Sequence, residues 1–506
     1  MSVDGPSSNG PLRVAVIGGG LSGLSAAWEL DRLTTQTGRA ISITLFEASP
    51  RYGGVFGSQR IGDYLVETGA DSFITNKPWG MQLAKDLGLE DQLISTNARY
   101  RRSLILHRGR PVETPVGFNL LAPTQVWPMF TTPLLSWKGK LRALREAFIP
   151  KKSEMTDESL ASFVRRRFGD ELLERIAQPM VGGIYTSDPD KLSLLATLPR
   201  FLEMEQQHGS VIRALRRQNK NTSAGEEKAS GARYSLFMSL KNGMSTLQDA
   251  LAKPIQQRHQ LQLNTKVVSL KASGREQGGR LPIRQDQARR GSLHQGIQPP
   301  VLWTLELNDC PKQSFDAVIL AVPTYIAADL LGTIDPELSG QLNQIEYAST
   351  AIVVSGHRLA DVTHPLDAFG LVIPAVEKRD ILATSFLSRK FEGRAPDGKV
   401  ICRTFVGGAM QAELLQRTDD QIIETVQREL GSIFGLKGQP DFAIVCRWNR
   451  SMPQYHIGHL ERVATIEQRI QTLPNLAMTT NAFHGVGLPE VIKEAREAAK
   501  RILGIL

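Results

Sequence analysis

The spacing of apolar residues near the start of the chain predicts a strand, a helix and a second strand. Residues 14–17 are apolar and β-branched, which favours a buried strand. Apolar residues between Leu24 and Leu30 then recur at helical spacing, and a second β-rich run follows at Ile41–Phe46. The polar residues 31–39 are predicted to form a long connection from the helix to the second strand. Together the three elements predict the first unit of a parallel sheet.

Later segments continue the alternation of helical and strand patterns. Residues 79–95 and 157–180 carry helical periodicity, and the last helix has Pro489 in its first turn. Residues 315–323 form an apolar strand ended by proline, of the kind that commonly closes a dinucleotide-binding sheet. Five β-rich runs predict a mixed or antiparallel sheet in a second domain: residues 351–356, 369–374, 381–386, 399–405 and 443–448.

We therefore expect an α/β fold with mixed α+β character and three parts. These are a Rossmann-like cofactor-binding domain, a mixed-sheet substrate domain and a helical, membrane-associating subdomain. The expected boundaries are 12–85, 232–325 and 447–506 for the cofactor domain, 86–115 and 326–446 for the substrate domain, 116–215 for the helical subdomain, 1–11 for a disordered tail, and 216–231 and 271–300 for flexible loops.

Composition narrows the class of protein. The chain has 506 residues, 41% of them apolar, and a formal net charge of +9. It lacks a basic helix or an aromatic-interleaved basic stripe, so nucleic acid is not an expected partner. The three scattered cysteines lack metal-site or disulfide spacing, and the start of the chain lacks a signal-peptide pattern, which together favour the cytoplasm. A homodimer remains open.

Residues 116–150 allow two interpretations. The segment contains Trp127 and Trp137 among leucines, phenylalanines and prolines, and its last part is basic. Short apolar helices with tryptophan beside lysine and arginine are typical of a peripheral membrane contact. A buried helical subdomain with a basic exit helix explains the same pattern. The basic residues concerned are Lys138, Lys140, Arg142 and Arg145.

A glycine-rich turn between the first strand and helix predicts a dinucleotide site. Gly18, Gly20 and Gly23 have the spacing GxGxxG. The first permits a tight turn, the second lets the backbone approach a pyrophosphate, and the third lets the helix pack against the strand. Ser22 lies in the same helix start, whose free N–H groups face the phosphates.

Residues after the second strand favour FAD as the cofactor. Glu47 ends that strand, where a carboxylate accepts hydrogen bonds from ribose hydroxyls and repels a 2′-phosphate. Arg51, Gly53 and Gly54 follow, and the pattern E-x-x-x-R-x-G-G resembles the extended motif of FAD proteins of the amine oxidase type. Near the other end of the chain, Gly485, Val486 and Gly487 precede a helix start that presents N–H groups to an anion, such as a reduced flavin.

Several longer motifs resemble the oxygen-dependent protoporphyrinogen oxidases over nearly the whole chain. The most specific are GGIYTSDPDKLS at 182–193 and RWNRSMPQYHIGH at 447–459, with NAFHGVGLPEVI at the end. The resemblance implies FAD-dependent oxidation of protoporphyrinogen IX to protoporphyrin IX in heme biosynthesis. Three two-electron steps would be involved, and O2 would reoxidise FAD to give H2O2. Alternatives are oxidation of coproporphyrinogen III, an FAD amine oxidase or carotenoid desaturase, and a non-catalytic binding protein of this fold.

The same resemblance implies roles for particular residues. No side chain is expected to be catalytic, because the flavin carries the redox chemistry. Arg102 matches an arginine that pairs with a substrate propionate, and Arg99 and Arg101 are alternatives for this role. His484 is not predicted to be a catalytic base, because it is a loop histidine without a visible partner. The remaining expected contacts are Gly183, Leu371, Val372 and Phe391 with the porphyrinogen, and Val268 and Trp448 with FAD.

Overall fold

The computed structural model describes residues 10–123, 127–154, 156–221, 237–273 and 302–505. The strands are β1 Leu12–Ile17, β2 Ile41–Phe46, β3 Ser58–Ile61, β4 Tyr64–Glu67, β5 Phe73–Ile74, β6 Leu93–Ser95, β7 Leu104–His107, β8 Arg110–Glu113, β9 Phe118–Asn119, β10 Ala122–Pro123, β11 Phe237–Leu240, β12 Gln260–Gln262, β13 Val267–Ala272, β14 Trp303–Leu307, β15 Cys310–Phe315, β16 Ala317–Leu320, β17 Tyr347–Arg358, β18 Gly370–Val372, β19 Ala383–Phe386, β20 Lys399–Gly407, β21 Phe442–Pro453 and β22 Leu476–Met478.

The helices alternate with these strands along the chain. They are α1 Leu21–Thr37, α2 Pro78–Asp86, α3 Trp127–Thr131, α4 Trp137–Leu144, α5 Leu160–Arg167, α6 Asp170–Leu172, α7 Gln178–Tyr185, α8 Leu194–Thr197, α9 Pro199–His208, α10 Val211–Asn221, α11 Ser245–Arg258, α12 Thr324–Leu331, α13 Pro336–Asn343, α14 Leu387–Lys390, α15 Asp419–Phe434, α16 His459–Gln471 and α17 Leu488–Leu503.

A five-stranded parallel sheet forms the first part of the fold. Its strand order is β12-β2-β1-β16-β22, and apolar residues from α1, α11 and α17 share a core with it. The predicted β-α-β start is confirmed. However, β16 lies inside the sheet and β22 closes the edge, so the expectation that residues 315–323 close it is wrong. The closing strand is only three residues long, too short for a clear sequence pattern.

The predicted connection at residues 31–39 is also wrong, because α1 continues to Thr37. The last turn of α1, residues 35–37, is exposed, whereas Asp31 and Thr34 are buried. The carboxylate of Asp31 accepts hydrogen bonds from Arg258 and from the ring of His259, at the end of α11. A polar residue is therefore buried in the helix here because its partners come from a distant part of the chain.

A seven-stranded sheet forms the second part. Its order is β21-β17-β20-β19-β18-β7-β8, and every neighbouring pair is antiparallel except β18 with β7. This confirms the predicted mixed sheet. The expected boundary between residues 446 and 447 falls within β21, because this strand runs unbroken from Phe442 to Pro453.

Short helices between α3 and α10 pack around their own apolar core. The two helices expected over 157–180 are present as α5 and as a continuous helical stretch from α6 to α7, which includes a π-helical segment at Leu173–Ala177. The loop expected at 216–231 begins as the end of α10, and the rest of it lies outside the described residues. Of the loop expected at 271–300, residues 271–272 belong to β13 and residues 274–300 lie outside the description. No helix within the described ranges is both long and apolar enough to cross a bilayer.

A buried group of charges connects the end of β4 and the loop after it to the seven-stranded part of the fold. Asp71, after β4, accepts hydrogen bonds from Lys390 (2.9 Å) and Arg403 (2.7 Å) on the seven-stranded side. The nearby carboxylate of Glu67 lies 3.7 Å from Arg394, and both side chains are fully buried. The two cations lower the pKa of Asp71 well below its usual range and keep it ionised.

Close packing at Gly23 gives a first prediction. A Cβ at this position would lie 1.8 Å from the carbonyl oxygen of Gly18, whereas a Cβ at Gly20 would meet only the Cα of Gly54, at 3.9 Å. We expect Gly23→Ala to destabilise the protein by at least about 3 kcal/mol, because α1 must move away from β1. Gly20→Ala is the matched control, and it should leave the thermal midpoint of the FAD-free protein nearly unchanged. Equal midpoints for the two variants would contradict this account.

Buried His357 in β17 predicts a pH dependence of stability. Burial lowers the pKa of His357 to about 4, although Asp441 and Asp361 act in the opposite direction. The ordinary value in an unfolded chain is about 6.5, so between these values the unfolded state binds more protons. Stability is therefore complete above about pH 6.5 and falls as the pH decreases towards 4, by at most about 3 kcal/mol from this residue.

Denaturant unfolding at a series of pH values measures this effect. The variant His357→Gln should lose less stability than the wild type between pH 7 and pH 4.5. Half-buried His208, changed to glutamine, is the control and should follow the wild-type curve. If the curves of His357→Gln and wild type run parallel, His357 does not contribute to the acid sensitivity.

Candidate functional site

A cavity of ≈ 480 Å³ opens at the carboxyl ends of the parallel strands. Ligands of open α/β sheets bind at this edge. The cavity contains most of the residues predicted to bind the cofactor. These lining residues are Gly18, Gly20, Ser22, Glu47, Gly53, Gly54, Trp448 and Val486.

The glycine turn leaves one side of the cavity free of side chains. Gly18 has φ +108°, and a Cβ there would lie 2.3 Å from the carbonyl oxygen of Ala321 on the neighbouring strand end. Gly20 caps α1, and the space beside its Cα is open except for Gly54. The first-turn N–H groups of a helix have no partner within the helix. This cradle therefore fits a pyrophosphate.

Glu47 is fixed at the rim of the cavity by main-chain donors. Its two carboxylate oxygens accept hydrogen bonds from the N–H of Gly19 (2.7 Å) and the N–H of Ser49 (2.8 Å). Each carboxylate oxygen can accept a second hydrogen bond, so the group can still accept from ribose hydroxyls. The structure therefore places Glu47 where the sequence motif requires it.

Arg51 and Gly23 act behind the cavity and are not among the residues that line it. The guanidinium of Arg51 donates to the carbonyl oxygens of Gly54 and Phe56, both at 2.8 Å. Arg51 thus supports the Gly53–Gly54 turn, and its contact with the cofactor stays a prediction. Gly23 allows α1 to approach β1, as predicted.

Of two other residues predicted to contact the flavin, the side chain of Trp448 lines the cavity and that of Val268 does not. The indole N–H of Trp448 donates to the carbonyl oxygen of Thr68 (3.1 Å), and the ring lines the cavity. The side chain of Val268 is 51% exposed, and its neighbour Val267 lines the cavity instead. The pairing of β13 with β14 shifts register between Val267 and Ser269, so the sequence alone could not determine which valine faces inward. A main-chain contact by Val268 stays a prediction.

The glycine turn before α17 closes the cavity on the opposite side. Val486 lines the cavity, Gly485 has φ +149°, and Gly487 caps the helix. A Cβ on either glycine would lie 2.6 Å from the side chain of Glu490. The turn therefore requires glycine at 485, where φ is positive and the contact is with the inner part of the Glu490 side chain, whereas at 487 only the movable carboxylate is met. The turn presents the start of α17 to the cavity.

His484 has a partner that sequence analysis did not identify. Its Nε2 lies 2.9 Å from a carboxylate oxygen of Glu467, which raises the pKa of His484. Ligand atoms of Glu467, His484 and Glu494 lie within 4.8 Å of one another, a spacing that could hold a metal ion. Lys493 and Arg501 line the same pocket, and their positive charges oppose a cation there.

The predicted substrate contacts lie partly together. Gly183 lines a small pocket with Thr186, Ile373 and Gly408, and a Cβ on Gly183 would lie 3.6 Å from the side chain of Val372. The protein therefore leaves room for a methyl group at Gly183, so only a ligand would crowd it. Val486 and Val372 both pack against the helical core that contains α7, which brings this pocket close to the cofactor cavity.

Leu371 and Phe391 belong to the core, contrary to the expectation that they enclose a tetrapyrrole. Leu371 is 1% exposed and packs on the opposite face of β18 from Val372. Phe391 is fully buried, and Lys390 and Arg394 lie over its ring. Both side chains are enclosed by protein, so neither can touch a ligand without rearrangement.

The three candidate arginines are also distinguishable. Arg102 forms a half-exposed ion pair with Asp367 (3.1 Å), and its carbonyl oxygen accepts from the N–H of Phe369, just before β18. Arg101 donates to the carbonyl oxygen of Thr96, and Arg99 is exposed beside a tyrosine ring. Arg102 is therefore the one joined to the strand that carries Val372.

Some cavity residues were not predicted, although a general rule identifies them. Thr479, Thr480 and Asn481 follow β22, and Ala321 and Val322 follow β16. Residues just beyond the carboxyl ends of parallel strands form ligand sites in such sheets. Correct recognition of β22 as the edge strand would have identified the first three.

Comparisons with known proteins agree with this geometry. The family described as flavin containing amine oxidoreductase matches residues 21–503. Coproporphyrinogen III oxidase of Bacillus subtilis (strain 168) is 31% identical over 500 residues, which cover 99% of each chain. Protoporphyrinogen oxidase 2 of Arabidopsis thaliana is 27% identical over 98% of this chain and 94% of the plant protein. A crystal structure from Exiguobacterium sp. 255-15 has a TM-score of 0.81 and 26% identity, covering 98% of this chain and 99% of the other.

These matches confirm the cofactor and the class of enzyme that the motifs predicted. The glycine cradle, Glu47 and the turn before α17 are the residues that would hold FAD in the cavity. The protein is an FAD-dependent oxidoreductase. The chain therefore belongs to the porphyrinogen oxidases within the flavin-containing amine oxidoreductase family.

Proposed function

We propose that this enzyme oxidises coproporphyrinogen III to coproporphyrin III in heme biosynthesis. The observation that carries the proposal is the identity of 31% over 99% of both chains with the coproporphyrinogen III oxidase of Bacillus subtilis. The plant protoporphyrinogen oxidase is more distant, at 27%. The sequence motifs favour protoporphyrinogen IX as the substrate and give coproporphyrinogen III as the alternative. We now propose the alternative as the main substrate.

The reaction removes six electrons and six hydrogens from the porphyrinogen. Bound FAD would accept them two electrons at a time, and three O2 would become three H2O2. The part of the protein is to bind the macrocycle and to hold it at the flavin edge of the cavity. The pocket beside Gly183 is the proposed place for the macrocycle, and its support is that Val486 lines the cavity and packs against the helical core that contains α7.

Two orphaned hydroxyl groups support a ligand at this pocket. Ser187 is 4% exposed, and the hydroxyls of Ser187 and Thr186 have no hydrogen-bond partner among the described residues. Buried polar groups without partners are rare in folded proteins. Both residues belong to the GGIYTSDPDKLS motif, and Thr186 has φ +49°, a conformation uncommon for threonine. A bound polar ligand would satisfy these groups.

Arg102 is the proposed partner of a substrate propionate. Its present partner, Asp367, is 37% exposed, so exchange of one carboxylate for another has a small cost in desolvation. Coproporphyrinogen III has four propionates and protoporphyrinogen IX has two. A site with additional cations at its rim would therefore favour the tetracarboxylate.

Comparison of the two porphyrinogens tests the proposal. We expect kcat/KM, followed by porphyrin fluorescence in air, to be at least roughly tenfold higher for coproporphyrinogen III, which is the effect of one charge-assisted hydrogen bond. Each substrate should also bleach the flavin when oxygen is absent. Preference for protoporphyrinogen IX, or flavin reduction by amines or carotenoids alone, would overturn the proposal.

Two glycine-to-alanine variants test where the substrate binds. Gly183→Ala should raise KM for the porphyrinogen while FAD content and thermal midpoint stay at wild-type values, because only a ligand competes with the new methyl group. Gly340→Ala is the control, since a Cβ in α13 meets nothing within 4 Å. Unchanged kinetics of Gly183→Ala would remove Gly183 from the substrate site.

We further propose that α3, α4 and the following turn contact a membrane surface. Exposed apolar side chains project from this region: Phe148 is 83% exposed, Trp127 76% and Trp137 67%. Lys138 and Arg145 are exposed on the same side of α4 and its extension. In contrast, Lys140 and Arg142 donate to main-chain oxygens of the protein. Exposed aromatic residues beside cations suit an anionic lipid interface.

Co-sedimentation with vesicles containing anionic lipid tests this contact. The double variant Trp137→Glu, Phe148→Glu should lose most binding, because each change removes apolar area and adds repulsion from the lipid. Ile505→Glu, at an exposed apolar residue near the far end of the chain, is the control and should bind as the wild type does. Wild-type protein that stays in the supernatant at low salt would exclude the contact.

A further inference from the structure

We infer that Tyr455 and His459 are positioning residues for the flavin, acting through the turn that precedes α17. Both belong to the RWNRSMPQYHIGH motif, and neither lines the cofactor cavity. The inference concerns the FAD site alone and does not depend on which porphyrinogen is the substrate.

The hydroxyl group of Tyr455 joins two points of the turn. It donates to the carbonyl oxygen of Asn481 (2.7 Å) and accepts from the N–H of Gly485 (2.9 Å). Asn481 lines the cavity, and Gly485 directly precedes Val486, which also lines it. One phenol therefore fixes the separation of the two places where the turn meets the cavity.

The ring of His459 supports Tyr455 from one side and the turn from another. The two rings are stacked with centroids 4.0 Å apart and planes inclined by 12°. The Nε2 of His459 lies 3.1 Å from the carbonyl oxygen of Phe483, in the middle of the same turn. Since a carbonyl oxygen only accepts, this contact requires the proton on Nε2.

Burial keeps both side chains in the uncharged form that these contacts need. Tyr455 is 1% exposed and His459 is fully buried. Burial raises the pKa of the Tyr455 phenol well above its ordinary value and lowers the pKa of His459 to about 4. The charge of Arg462, and any charge on His484 or His456, also opposes protonation of His459. The phenol can therefore donate at neutral pH, and the imidazole stays neutral.

The consequence concerns the main-chain donors at the start of α17. Gly487 caps this helix, and the first-turn N–H groups have no partner within the helix. Such donors favour negative charge, and a flavin becomes more negative on reduction. If the turn is held less firmly, these donors lose alignment. The reduced cofactor is then destabilised more than the oxidised one.

The test uses Tyr455→Phe, which keeps the stacked ring and removes only the hydroxyl. We expect the two-electron midpoint potential of the bound flavin to fall by about 30 mV, which corresponds to a factor of ten. The dissociation constant of FAD from the apoprotein should rise by less than this factor of ten. Tyr64→Phe is the matched control, because Tyr64 is also buried and donates to a carboxylate, Asp441, away from the cavity.

His459→Phe provides an independent second variant. It keeps a stacked ring and removes the Nε2 donor, so it should lower the potential in the same direction. The double variant should shift the potential by less than the sum of the single shifts, because both residues hold one turn. If Tyr455→Phe does not fold, the midpoint potential of His459→Phe tests the inference instead. A wild-type potential in the folded variants, with a loss of thermal stability equal to that of Tyr64→Phe, would overturn the inference.

Discussion

The buried ion pairs of Asp71 are the interaction on which the arrangement of the site depends. A carboxylate removed from water is stabilised here only because Lys390 and Arg403 donate to it. Removal of one partner would leave an uncompensated buried charge, which is strongly unfavourable. Asp71 lies three residues after Thr68, whose carbonyl oxygen accepts from Trp448 of the cavity. Arg403 belongs to β20 of the seven-stranded sheet, and Lys390 ends α14 just before that strand. The pairs therefore hold the loop after β4, which contacts Trp448, against the seven-stranded sheet.

The turns around the cavity follow a common principle. Their backbones face the cofactor, so the polar groups that face away from it need partners within the protein. Arg51 supplies donors to the carbonyls after the Gly53–Gly54 pair, Glu47 accepts from Gly19, and Tyr455 serves both a carbonyl and an N–H. Arg51 and Tyr455 thus act behind the surface that lines the cavity, whereas Glu47 belongs to that surface.

Sequence alone predicted the elements and cofactor well, and the direction of individual side chains poorly. Hydrophobic periodicity determines where strands begin, and the glycine spacing determines a turn whose geometry few other residues allow. In a strand, however, neighbouring residues face opposite sides, so a prediction that is wrong by one position assigns a core residue to the binding site. Leu371 and Val372 show this, and the register shift near Val267 has the same effect. The prediction of a loop from residue 31 onwards was wrong for another reason, since the partners of Asp31, Arg258 and His259, are distant in sequence.

The cofactor cavity and the proposed substrate pocket are built from different parts of the chain, which has a consequence for substrate choice. The cofactor cavity is built from the ends of the parallel strands and the turn before α17. The pocket beside Gly183 is built from α7, the residue after β18 and the end of β20, and Val486 of the cavity packs against the helical core that contains α7. Changes in α7 can therefore alter which molecule is held without disturbing the turns that line the cofactor cavity. This separation explains why the glycine motif identifies the cofactor but not the molecule that is oxidised.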